Sequence, residues 1–198
     1  MMDMVKKIKK LQAQKNAIIL AHNYQSPEVQ DVADFIGDSL GLSRTAAYTD
    51  AEVIIFCGVH FMAETAKILS PQKTVLLPDK NAGCPMADMI RENDVEELRA
   101  RYPHQAKIVC YINTSAAVKA RCDSCCTSAN AVAIVEKAFQ EAREVVFVPD
   151  KHLGAFVADK LGKTSEEFIC YPGFCPTHAR ITTEDIIRAK NDHLNLSP

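Results

Sequence analysis

Apolar residues in this chain gather in short, uninterrupted runs rich in β-branched side chains, each followed by a longer stretch with helical spacing. The runs are Ala17 to Ala21, Val53 to Cys57, Thr74 to Leu77, Lys107 to Tyr111, Glu144 to Val148 and Glu167 to Cys170. Lacking polar alternation, they predict strands covered on both faces. Helices are predicted over Ser39 to Tyr48, His60 to Leu69, Ser128 to Glu141 and Lys151 to Leu161. Ser26-Pro27-Glu28 adds another helix start, with a capping serine, proline at the first helical position and an early acid. Strands alternating with helices predict parallel sheets joined by crossover helices, an α/β fold.

The pattern runs through the chain twice. Gly83-Cys84-Pro85 returns as Gly173-Phe174-Cys175-Pro176, and Asp38-Ser39 returns as Thr127-Ser128. Ala17 to Leu20 followed by His22-Asn23-Tyr24 parallels Lys107 to Cys110 followed by Tyr111-Ile112-Asn113. Every offset is about 90 residues, the signature of an internal duplication. The expected architecture is therefore a tandem pair of three-layer α/β/α domains with small parallel sheets of three strands each. The expected boundaries are 1–85 and 86–176, with 177–198 beginning a third unit.

Composition narrows the class. The chain is 47% hydrophobic and 24% charged, as packed soluble proteins are, and its formal charge of −2 offers no general attraction for nucleic acid or an anionic membrane. No apolar run approaches the roughly 18 residues of a membrane span. Met1 to Lys15 is Lys-rich and lacks a signal-peptide core. A cytoplasmic protein is expected, and its eight cysteines then read as reduced thiols or metal ligands rather than disulfides.

Ligands of such sheets sit beyond the carboxyl ends of the strands, which directs attention to the residues after each run. Cys84 and Cys175 lie there in matching turns between glycine and proline, as metal or cluster ligands or as a turn kept by duplication. Ser39 and Ser128 are expected to open helices, either as plain caps or as anion anchors beside unpaired amides. His22, Tyr24, Tyr111, Asn113 and His178 supply groups able to exchange protons with a carbonyl or orient it. Cys57, Cys110 and Cys170 read as core packing. Cys122, Cys125 and Cys126 form a CxxCC cluster at an expected helix start, with packing, zinc and thiol redox all open.

Together these segments resemble the quinolinate synthase family. The carrying residues include Ala21-His22-Asn23-Tyr24-Gln25, Gly37-Asp38-Ser39-Leu40, Gly58-Val59-His60-Phe61-Met62-Ala63-Glu64, Cys84-Pro85-Met86-Ala87, Tyr111-Ile112-Asn113-Thr114, Thr127-Ser128-Ala129-Asn130-Ala131, Pro149 to Gly154 and Gly173-Phe174-Cys175-Pro176-Thr177-His178. The resemblance implies three homologous domains about a pseudo-threefold axis, each giving one cysteine to a [4Fe-4S] cluster with an open iron. By motif, Cys84 and Cys175 are two of those cysteines. The implied reaction condenses iminoaspartate with dihydroxyacetone phosphate to quinolinate in NAD biosynthesis, with an aspartate oxidase or dehydrogenase as functional neighbour. His22, Tyr24 and His178 take catalytic places, and Ser39, Tyr111, Asn113 and Ser128 bind substrate. The family's third domain and third cysteine have no counterpart before Asn195-Leu196-Ser197-Pro198. A fragment, a degenerate remnant and a chain completed by another chain are the readings that follow. The expectation is that these 198 residues alone do not sustain turnover. Outside the family, the alternative is a non-catalytic zinc- or anion-binding module.

Overall fold

In a computed structural model that describes residues 2–102 and 106–193, the duplication becomes two sheets of the same design. The first unit runs α1 (Met2–Gln14), β1 (Ala17–His22), α2 (Pro27–Gln30), β2 (Phe35–Gly37), α3 (Ser39–Tyr48), β3 (Val53–Cys57), α4 (His60–Leu69) and β4 (Thr74–Leu76). The second repeats it as α5 (Glu92–Arg101), β5 (Ala106–Tyr111), α6 (Ala116–Lys119), β6 (Ser124–Cys126), α7 (Ala131–Glu141), β7 (Glu144–Val148), α8 (Lys151–Leu161) and β8 (Phe168–Cys170). A final helix, α9 (Thr183–Asp192), follows a short 3-10 turn over His178–Arg180. Asn195 to Pro198 lie outside the described residues.

Both sheets are wholly parallel, with strand orders β2-β1-β3-β4 and β6-β5-β7-β8. Each therefore has four strands where the apolar runs predict three. The missed strands, β2 and β6, are three-residue edges, too short and too exposed to leave an apolar run. One device ties each loop preceding an edge strand to the neighbouring central strand. Asp34 accepts from the Ile19 amide at 2.8 Å, and Asp123 accepts from the Ile108 amide at 2.7 Å.

The central strands are buried as their runs predict, with Leu20, Ile54, Phe56, Val109, Val146 and Phe147 all solvent-inaccessible. Helix α8 ends at Gly162, whose φ of +62° is a left-handed conformation that glycine adopts without steric cost. One core residue crosses between units. Ile112, just past β5, is buried in the first unit's cluster with Leu20, Phe56, Phe61 and Met62.

Of the cysteines expected in the core, Cys110 is fully buried while Cys57 and Cys170 are half-buried. The CxxCC cluster departs from expectation, because it marks edge strand β6 rather than a helix start. Ser128 departs as well. It lies in a turn before α7, whose N-cap is Asn130, and the Asn130 side chain accepts from the Thr127 amide at 2.7 Å. By contrast Ser39 is the first residue of α3, behind an Asp38 cap.

Candidate functional site

Strands β1 and β5 end side by side in the repeat, and a cleft of about 160 Å³ opens where their trailing residues meet. One wall is His22, Asn23 and Tyr24 with Asp38, Ser39 and Leu40. The other is Tyr111 and Ile112 with Thr127, Ser128 and Ala129, the same positions one repeat later. The short strands β2 and β6 matter here, since their carboxyl ends deliver the two serine-bearing segments. The volume falls below the roughly 300–1,000 Å³ of drug-sized sites, so it suits a small metabolite.

His22 is buried, and its Nδ1 accepts the Tyr24 amide at 3.3 Å. With Nδ1 occupied as an acceptor, the ring's proton belongs on Nε2. Burial lowers the His22 pKa, against an opposing pull from Asp38, and so favours the neutral ring. The Tyr24 ring packs at 4.4 Å from the His22 ring, tilted by 55°, with its outer face open to solvent. Burial foremost, with Asp150 and Tyr24 adding to it, pushes the Tyr111 phenol up to about 12, so it stays protonated. Ser128 lines the cleft on the same wall and works against that rise. The cleft thus offers neutral donors from His22, Ser39, Tyr111 and Ser128 beside one carboxylate, Asp38. Neither lysine nor arginine is among its lining residues.

Sequence reasoning singled out five residues of this wall: His22, Tyr24, Ser39, Tyr111 and Ser128. It gave no site role to Asn23, Asp38, Leu40, Ile112, Thr127 or Ala129, which stand in the same motifs. Asn113 is half-buried just past the cleft wall, and His178 is exposed on its 3-10 turn. Neither of these two lines the cleft.

Cys84 and Cys175 are both half-buried and open identical turns. The Cys84 carbonyl accepts from the Asp88 amide at 3.1 Å, and the Cys175 carbonyl from the Ala179 amide at 3.0 Å. The preceding loops dock alike: the His60 amide donates to Ala82 at 2.8 Å, and the Lys151 amide to Gly173 at 2.8 Å. Two half-exposed thiols are chemically suited to iron or another soft metal. Among the described residues, however, no three His, Cys, Asp or Glu side chains form a group that could hold a metal ion. The donor type fits a cluster and the number of donors does not.

Three of the other thiols are held protonated. Hydrogen bonding with Cys122 and burial push Cys110 up to about 12, burial does the same for Cys126, and hydrogen bonding with Cys110 raises Cys125 further. Reactive or ligating cysteines need the opposite shift. Among the described residues no helix is long and apolar enough to cross a membrane.

Comparison with known proteins places this architecture. The sequence model of the family described as Quinolinate synthetase A protein matches residues 6–197. The quinolinate synthase of Dehalococcoides mccartyi strain CBDB1 is 57% identical over 187 residues, covering 94% of this chain and 60% of that protein. That of Desulforudis audaxviator is 55% identical, covering 96% of this chain and 61% of its own. Quinolinate synthase 1 of the archaeon Methanosarcina acetivorans is 51% identical over the same shares, 96% and 61%. The chain spans about three-fifths of the length of these curated relatives. With the family model matching nearly end to end and a duplicated α/β fold to carry it, this chain belongs to the quinolinate synthetase A family.

Proposed function

We propose that the cleft between the two units is the substrate site of a quinolinate synthase, condensing iminoaspartate with dihydroxyacetone phosphate in NAD biosynthesis. The observation that carries this reading is the lining itself. Equivalent residues from both repeats face one another across a space sized for small substrates, in a chain 57% identical to a quinolinate synthase.

Each residue has a role that its chemistry supports. His22, neutral and carrying its proton on Nε2, donates a hydrogen bond to a substrate carbonyl and polarises it. Tyr24, packed at a tilt against that ring, moves a proton at the same oxygen. Ser39 presents its hydroxyl at the N-terminus of a ten-residue helix, where the dipole favours an anion. Tyr111, a permanent donor at neutral pH, and Ser128 orient the second substrate with help from Asn113. His178 serves from the cluster side.

Cys84 and Cys175 would hold two corners of a [4Fe-4S] cluster, and its open iron would supply Lewis-acid chemistry when bound.

The test is anaerobic reconstitution with iron and sulfide followed by a quinolinate assay, on this chain and on the protein extended to its relatives' length. Turnover is expected only from the extended protein, and Cys84→Ser or Cys175→Ser should each abolish its cluster absorbance while Cys122→Ser does not. Multiple turnover by the 198-residue chain would overturn the division of labour. An extended, cluster-loaded protein that makes no quinolinate would overturn the function.

A further inference from the structure

We propose that Glu64 is a positioning residue, holding the second unit's Tyr111–Ala116 segment in the register that sets Tyr111 across the cleft from His22 and Ser39. The proposal rests on reading that cleft as the substrate site.

Glu64 belongs to α4 of the first unit, yet its Oε2 accepts from the backbone amide of Ala116 in the second unit at 2.9 Å. Its other oxygen lies 3.7 Å from His60 Nδ1, one turn back on the same helix. One turn earlier on α4, the Phe61 ring lies beneath the Lys119 ammonium, 5.4 Å from its centroid. Helix α4 therefore grips α6 at both ends, by the first amide and by the last side chain.

This contact is not an ordinary helix cap. Helix α6 already has one, because the Ser115 hydroxyl accepts from the Val118 amide at 3.2 Å. What Glu64 adds is a directional, charge-assisted bond between units. The buried Ile112 also joins the units, but apolar packing is non-directional and sets depth rather than orientation.

The path from Ala116 to the cleft is short and stiff. Thr114 is buried, its amide donates to Ile112 at 2.8 Å, and its hydroxyl donates to the Tyr111 carbonyl at 3.1 Å. Lys119 fastens the same segment by donating to the Thr114 carbonyl. A shift at Ala116 must move Thr114, and with it the residue that carries the phenol.

The test uses the 198-residue chain labelled with [13Cζ]tyrosine, with the Tyr111 resonance assigned through Tyr111→Phe. Glu64→Ala should displace that resonance and, where quinolinate binds, weaken its binding by about tenfold through lost preorganisation. Glu64→Gln, which keeps an acceptor oxygen at the same reach, should restore both. Glu64→Asp, one methylene short, should behave like the alanine variant. A Glu64→Ala protein that melts earlier with its Tyr111 resonance unmoved would overturn the proposal. If Glu64→Ala does not fold, matching Tyr111 resonances in the Gln and Asp variants would overturn it instead. Quinolinate that leaves the unmodified chain's Tyr111 resonance in place counts against the substrate site, and the variant spectra still decide the role of Glu64.

Discussion

Gly173 precedes Cys175 by two residues, and substituting it tests whether that turn is as tightly built as it looks. A Cβ added there would stand 2.5 Å from the Pro149 carbonyl oxygen and 3.3 Å from Pro149 Cβ. Ordinary contact begins near 3.4 Å, so the two backbones must part by about 1 Å. Neither neighbour is a flexible side-chain tip that can swing away. Overpacking of this kind costs about 1–3 kcal/mol. Parting the strands also stretches the 2.8 Å bond from the Lys151 amide to Gly173, worth about 1 kcal/mol. Gly173→Ala should therefore destabilise the chain by about 2–4 kcal/mol, a fall of roughly 5–15 °C in melting temperature for a protein of this length. The control is Gly83→Ala beside the other cysteine, where an added Cβ meets nothing closer than 3.7 Å. It should change stability by less than about 0.5 kcal/mol. Urea unfolding followed by far-ultraviolet circular dichroism measures both. Equal effects at the two glycines would refute the reasoning.

Asp34→Ala and Asp123→Ala each strip a charged acceptor from a half-buried strand amide, so each should cost about 1.5–3 kcal/mol in urea unfolding. The double variant should cost close to their sum, because the two sites share no partner. His22, with its pKa lowered by burial, binds a proton more readily unfolded than folded. Its contribution to stability is complete above the ordinary imidazole pKa and is lost as pH falls below it. Acidifying from about pH 7 to about pH 5 should thus destabilise the wild type more than His22→Asn. Tyr111→Phe, which deletes a hydroxyl from the cleft lining, should weaken quinolinate binding by about tenfold in calorimetry while leaving stability within about 1 kcal/mol.

Legibility in the sequence followed the amount of apolar surface each element buries. Strands such as Val53–Cys57 and Glu144–Val148 could be read to the residue because burial on both faces demands an unbroken apolar run. The edge strands Thr74–Leu76 and Phe168–Cys170 showed in their apolar runs, but Phe35–Gly37 and Ser124–Cys126 left no such trace, with Phe35, Ile36 and Cys125 exposed and polar residues on their flanks. Ser128 misled through the parallel with Ser39, because Asn130 takes the capping place in the second repeat. Five residues of the cleft wall were legible because chemistry in a parallel α/β fold collects after strands. Glu64 was not legible as a partner of Ala116, because that bond depends on how the two units are set together.

Ile112 makes the stability of one half of the fold depend on the other. Half of this molecule lends a side chain to complete the interior of the other half. Severed at the junction, the N-terminal half would be left with a vacancy among Leu20, Phe56 and Phe61 and an oily rim exposed to water.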